Sequence, residues 1–257
     1  KTGYDALVLT GQAEAWSIVV IDDGQLRIEP AGELVGATIP VAETMLADRY
    51  GRDFQFAVIG PGGERQVRYA TISHDGRHAG RGGSGAVLGA KHVKAIAVRG
   101  TQRSRWADPT GLVAAARELS EKSFGPATAK YRELGTASNL LTFNRLNVLP
   151  TRNFQRGSFA EAEAIAPEQL QIARQRTRAS CAACTIGCEH LYALGDKSPG
   201  KVRLEYESLF ALGSLCGVSD SEAVLACTQR CDQLGLDTIS AGGTIAFAME
   251  CVERGYL

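Results

Sequence analysis

Hydrophobic and polar positions change their rhythm once along the chain. Up to about residue 100 the apolar residues come in short runs closed by turn residues, the pattern of β-strands. Ala6–Thr10 ends at Gly11. Trp16–Ile21 is closed by Asp22-Asp23-Gly24, a turn that favours a hairpin into Gln25–Glu29. Phe54–Ile59 runs into Gly60-Pro61-Gly62-Gly63, and Val67–Ser73 and Lys94–Val98 complete the predicted strands. One helix interrupts them, over Thr38–Tyr50, with Val41, Met45 and Leu46 at helical spacing and a stop at Gly51.

After Gly100 the spacing becomes helical. Residues 101–106 are polar and basic and read as a linker; Asp108 then caps a helix that has Pro109 in its first turn and Leu112, Val113, Ala116 and Leu119 on one face. Pro126–Gly157 mixes a helix with an irregular loop, Leu149-Pro150-Thr151-Arg152-Asn153-Phe154. Pro167–Arg178 reads as a polar helix leading into a cysteine cluster. Ser221–Leu234 and Ile239–Arg254 are helices closed by Gly235 and Gly255. The expected fold class is therefore α+β. A β-rich part over residues 1–102 precedes a mostly α-helical part over residues 103–257. The pattern starts mid-strand at Ala6 without a lead-in, which reads as an internal fragment of a longer protein.

Charge narrows the function. The 28 basic residues balance the 28 acidic ones, so there is no electrostatic reason to expect nucleic acid or an anionic membrane as partner. No apolar run approaches the roughly 18 residues of a membrane span, and no secretory signal opens the chain, so a cytoplasmic protein is expected. Seven cysteines, an odd number, argue against a disulfide framework.

Three of those cysteines make a motif. Cys181-x-x-Cys184-x-x-x-Cys188 gathers three thiols within eight residues. Soft thiolates so spaced suit an iron–sulfur cluster or zinc, with His190 available as a fourth zinc ligand. The fourth cluster ligand stays open among Cys216, Cys227, Cys231, Cys251 and a residue beyond Leu257. A second feature is the basic, glycine-rich stretch Gly76–Gly85, with Arg77 and Arg81. Backbone N–H groups there can approach an anion while guanidiniums pair with phosphate oxygens. It is neither a Walker loop nor a dinucleotide fingerprint. A third is Asp232-Gln233-Leu234-Gly235-Leu236-Asp237, two carboxylates around a helix end. They could accept hydrogen bonds from a flat heterocycle, or serve as a helix cap and a solvated charge. A fourth is Glu205-Tyr206-Glu207, carboxylates that begin an apolar helix, fit either for proton transfer or for the helix dipole.

These features, in this order, resemble the aldehyde ferredoxin oxidoreductase family along nearly the whole chain. Gly3–Val8, Ile59–Glu64, Gly76 through Ile96, Leu149–Phe154, the cysteine triplet, Glu205–Glu207 and Asp232–Ile239 all carry the resemblance. It implies an enzyme that oxidises a small aldehyde to a carboxylic acid at a tungsten or molybdenum bis-pterin centre, with electrons leaving through a [4Fe–4S] cluster to ferredoxin or a similar carrier. By the resemblance, Cys181, Cys184 and Cys188 are cluster ligands, with the fourth ligand in a later segment. Arg77, His78, Gly80 and Arg81 fall on the loop that holds the pterin phosphates and their bridging Mg²⁺. Asp232, Leu236 and Asp237 fall on a pterin-binding motif, and Glu207 on the acidic residue near the metal. The family more often has a small residue where His78 stands. A chain under half the usual family length does not by itself close the active site, and a homo-oligomer is compatible with it. Two other uses stand beside this one: the same scaffold reducing an aromatic acyl-CoA thioester, and a zinc-stabilised binding module without redox activity.

Overall fold

The computed structural model describes residues 1–103, 105–194 and 200–257. The chain divides into two compact units: Lys1–Arg105 together with Arg230–Asp237, and Trp106–Gln229 together with Thr238–Leu257. The fold class is α+β.

The first unit is built in the order β1 (Ser17–Asp22), β2 (Gln25–Pro30), α1 (Ile39–Tyr50), β3 (Gln55–Val58), α2 (Pro61–Glu64), β4 (Ile72–His74), β5 (Arg77–Ala79), α3 (Ser84–Ala90) and β6 (Val93–Arg99). The strands form one six-stranded sheet, ordered β2-β1-β6-β3-β4-β5. Only β1 and β6 run parallel. β1 lies between two neighbours and buries side chains on both faces, as its run of Ile and Val requires. On one face Ile18 and Val20 pack with Leu34, Ile39, Leu46 and Phe54, which seats α1. On the other, Val19 packs with Ile59, Leu88 and Val93. Each such aliphatic side chain, fully removed from water, contributes about 1.5–3 kcal/mol.

Two hairpins turn on Asp-Gly pairs. Asp23 (φ 45°) and Gly24 (φ 86°) join β1 to β2, and Asp75 (φ 47°) and Gly76 (φ 67°) join β4 to β5. Both pairs place two consecutive residues at positive φ, as a two-residue turn matched to strand twist demands, and glycine takes the second position without a Cβ penalty.

Some sequence expectations give way here. Ala6–Thr10 forms no strand. β1 already has β2 and β6 as partners, so Leu7 and Leu9 simply pack against the Val19–Ile59–Leu88–Val93 cluster. Of Val67–Ser73 only the end is strand, β4 starting at Ile72. Tyr69 and Thr71 instead give their backbone groups to Asp237 and Gly235. The glycine-rich stretch is not all loop, since Arg77–Ala79 is the edge strand β5.

The second unit contains α4 (Pro109–Ser123), α5 (Ala129–Leu134), α6 (Leu140–Arg145), α7 (Pro167–Ala173), β7 (Arg176–Ala179), β8 (Glu189–Ala193), β9 (Lys201–Arg203), α8 (Tyr206–Leu212), α9 (Ser221–Leu234, whose last turn belongs to the first unit) and α10 (Thr238–Glu253). Asp108 caps α4 as expected, accepting from the Gly111 N–H at 2.9 Å. The polar helix expected to end at Arg178 stops at Ala173. Arg174 turns extended (φ −141°, ψ 148°), and Arg176–Ala179 pairs with β8 instead. The ladder satisfies the same backbone groups and buries Tyr192 completely, an outcome no local propensity encodes. Among the described residues no single helix is long and apolar enough to cross a membrane.

Candidate cofactor and cluster sites

Hairpin β4–β5 presents the first candidate site. Its register sets Ser73 opposite His78 and His74 opposite Arg77. His78 is held from two sides: Nδ1 lies 3.0 Å from the Thr71 hydroxyl, and Nε2 lies 3.4 Å from Asp232 Oδ1. Beyond β5, Arg81 extends a guanidinium that is 66% exposed, 4.0 Å from Asp237 Oδ2. Gly82 and Gly83 follow at φ 96° and 71°, and a side chain added at Gly82 would meet nothing within 4 Å.

The two aspartates arrive on Arg230–Asp237. α9 ends by a left-handed Gly235 (φ 69°), with the Leu236 N–H donating to the Cys231 carbonyl at 2.9 Å. The segment then pairs with the β-rich unit through Thr71 N–H to Gly235 O (2.9 Å) and Asp237 N–H to Tyr69 O (3.0 Å). Gly60 and Gly62 permit this approach. A Cβ on Gly62 would stand 2.5 Å from Leu236 Cδ2, and one on Gly60 would overlap the Leu234 carbonyl. His78, Gly80, Arg81, Asp232, Leu236 and Asp237, all candidates from sequence, thus meet in one cradle, with Arg77 on the same short strand. Cation and carboxylate stand side by side, so the cradle offers charge to an anion and acceptors to N–H groups.

The same unit holds a polar hub that sequence patterning did not single out. Lys94 on β6, with no exposed surface, places Nζ 2.5 Å from Glu64 Oε1 and 3.0 Å from the Ala37 carbonyl. Glu64 ends α2 and accepts the Gly36 N–H on both oxygens, at 3.0 and 2.9 Å. Burial lowers the Lys94 ammonium pKa, and Glu64 opposes that shift. A lysine inside an alternating strand looks like a solvent-facing residue, and only the sheet's second covering layer reverses that.

The cysteines occupy a different context. Cys181, Cys184 and Cys188 lie in the loop that joins β7 to β8, where Ala179 pairs with Glu189. All three are free thiols, Cys181 exposed and the others partly so, and the Cys184 N–H turns back onto the Cys181 carbonyl at 3.0 Å. Among the described residues no three His, Cys, Asp or Glu side chains converge as a metal-binding group. The three thiols share a loop without meeting at one point. Burial, then the charges of Cys181 and Cys184, raises the Cys188 thiol. Iron or another soft cation would offset that mutual repulsion, so the chemistry of this donor set fits a metal cluster.

His190 does not join them. It is buried, and its Nε2 lies 3.1 Å from the Arg132 carbonyl, to which it can only donate. The charges that act on it are Arg176 and Arg178. Cys216 is also committed, donating to the Ala211 and Gly242 carbonyls, with its thiol pushed up to about 11 by burial. Glu205, by contrast, is close enough to Cys188 to act on its charge. Glu207 sits in the first turn of α8, partly buried, next to Tyr206, whose hydroxyl is pushed up to about 12 by burial and then by Glu207.

Residues 1–100 match the family described as aldehyde ferredoxin oxidoreductase, N-terminal domain, and residues 112–257 match aldehyde ferredoxin oxidoreductase, domains 2 and 3. The chain belongs to the aldehyde ferredoxin oxidoreductase family. Within that family it is similar to the tungsten-containing aldehyde ferredoxin oxidoreductases of Thermococcus kodakarensis (38% identical over 262 residues) and Pyrococcus horikoshii (37% over 265). These alignments take in 99% of this chain but 43% and 42% of the relatives, so the chain spans about two-fifths of their length. A WOR-like subunit of an aliphatic sulfonate oxidoreductase from Pyrococcus furiosus is 26% identical over 281 residues. In fold, the chain resembles the active-site complex BamBC of benzoyl coenzyme A reductase, with a TM-score of 0.81, 23% identity and coverage of 100% of this chain and 41% of that one.

Proposed function

We propose that this chain is part of an oxidoreductase that converts aldehydes to carboxylic acids, with a tungsten or molybdenum bis-pterin and a [4Fe–4S] cluster as its redox groups and a ferredoxin-type protein as electron carrier. The observation that carries the reading is the cradle in which His78 and Arg81 face Asp232 and Asp237. A guanidinium for phosphates and carboxylate acceptors for a heterocycle's N–H groups lie within one unit there. When bound, the pterin-held metal would supply two-electron chemistry and the cluster one-electron transfer.

The chain's own residues would do the rest. Arg77 and Arg81 would pair with the pterin phosphates, whose remaining charge Mg²⁺ would offset. Gly80 lets the backbone come close. Asp232 and Asp237 accept from the pterin ring beside Leu236. Thiolates of Cys181, Cys184 and Cys188 hold iron. Glu207, at the start of α8, takes up or gives a proton. The aldehyde as substrate is supported by relatives at 37–38% identity that bear that name, against 26% for the sulfonate enzyme. A zinc module is disfavoured because it would leave the cradle of His78, Arg81, Asp232 and Asp237 without a role.

Elemental analysis of the full-length protein, purified without oxygen, tests this reading. About four irons and one tungsten or molybdenum per chain are expected, with iron lost on Cys184→Ser. One zinc and no heavy metal would refute it.

A further inference from the structure

One polar group of the first unit lies outside both the cradle and the Lys94 hub. Glu43 projects from α1 into a cavity that it shares with His74 and Asp75 of the β4–β5 hairpin, where the backbone N–H groups of Asp75 and Gly76 favour its charged form. Its Oε1 is buried without a partner among the described residues. Around it, Ala47, Arg52, Phe54, Phe56, His74 and Asp75 line an open cavity of about 270 Å³.

The fixed end of this contact is firm. α1 is pinned at its far end by Arg49 and Tyr50, whose Nη2 and hydroxyl each reach Glu29 at 2.8 Å. The held end is weak by itself. β5 is three residues long and lies at the edge of the sheet, with β4 as its ladder partner. Its turn needs two consecutive residues at positive φ, one of them a non-glycine. Such a hairpin frays unless something outside it holds the tip. Yet β5 carries Arg77 and His78, and His78 has to reach Asp232.

We propose that Glu43 is a positioning residue for the candidate phosphate loop: from α1 it clamps the Asp75-Gly76 turn and so fixes Arg77 and His78 relative to Asp232. The inference rests on the pterin reading given above. Burial and the neighbouring Asp75 charge both raise the Glu43 carboxyl pKa, while His74 and the two N–H donors oppose them. A neutral amide at this position therefore keeps an acceptor oxygen for the turn and removes the repulsion of Asp75, which makes Glu43→Gln the variant expected to rescue.

The test uses the full-length protein with Glu43→Ala, Glu43→Gln and, as a marker for the cradle itself, Arg81→Gln. Backbone amide exchange over residues 72–79 and pterin and heavy-metal content per chain are measured together. Glu43→Ala is expected to speed exchange at 75–79 about tenfold and at least halve cofactor content, with exchange in β1 and β6 unchanged. Glu43→Gln should keep both near wild type. Wild-type exchange in Glu43→Ala overturns the clamp, and fast exchange with full cofactor content overturns its role in positioning. If Glu43→Ala does not fold, a Glu43→Gln variant with fast exchange and low cofactor content likewise overturns the proposal. Undiminished cofactor in Arg81→Gln refutes the pterin reading instead, while the exchange data still decide the clamp.

Discussion

Replacing Lys94 by Met keeps the aliphatic stem inside the sheet and deletes only the ammonium. Its partner Glu64 is left with a side chain 10% exposed and one neutral donor, the Gly36 N–H. Stranding a buried charge in this way costs about 3–5 kcal/mol, far more than the pair contributes relative to a neutral replacement, because desolvation of the ions offsets most of their attraction. Neutralising both ends, Lys94→Met with Glu64→Gln, keeps an acceptor for Gly36 and strands nothing, so its cost should stay within about 1–2 kcal/mol. The second substitution should therefore recover about 1–4 kcal/mol, although the two positions lie 30 residues apart in sequence. Urea unfolding followed by Trp16 fluorescence reports on this unit, since Trp16 packs against both of its core clusters. The single variant should unfold at markedly lower urea, or about 10 °C lower on heating, and the double variant should recover most of the loss. A single variant costing under about 1 kcal/mol, or a double variant as weak as the single, would refute the buried-pair argument.

Two further predictions concern the same unit. Glu29 is held below the usual carboxylate range, first by the Tyr50 hydroxyl and then by Arg27 and Arg49, against the effect of burial. A depressed carboxylate adds stability above its unfolded pKa, and this is lost as pH falls through the folded value. Glu29→Gln should therefore cost about 1 kcal/mol at neutral pH and almost nothing once pH has fallen through the folded pKa of Glu29, in paired melts from pH 7 down; a gap independent of pH would show that the charge of Glu29 is immaterial. Gly62→Ala puts a methyl 2.5 Å from Leu236 Cδ2 and 3.0 Å from the Leu234 carbonyl. It should destabilise the unit by about 1–3 kcal/mol and speed amide exchange at Thr71 and Asp237, and unchanged exchange would mean that the segment docks without close packing.

Much of this was legible from residues alone. The hairpin at Asp23-Gly24, the helix from Ile39 to Tyr50, the Asp108 cap and the closing Gly235 follow from turn and cap chemistry, which acts over a few residues and needs no partner. The spacing of Cys181, Cys184 and Cys188 makes them a candidate soft-metal donor set, and the structure places all three in the β7–β8 loop. The parallel pairing of β1 with β6, by contrast, joins residues some 75 positions apart, and no local signal encodes it. The extended turn of Arg174 into β7 likewise goes against its helical pattern, because ladder bonds to β8 and burial of Tyr192 outweigh propensities worth tenths of a kcal/mol per residue. What the tertiary structure alone decided is which charges are neighbours. The sequence names Lys94, Glu43, His78 and Asp232 as polar residues. Only chain closure buries the first against Glu64, aims the second at a hairpin tip and brings the last two within 3.4 Å, since burial and distance are properties of the folded chain.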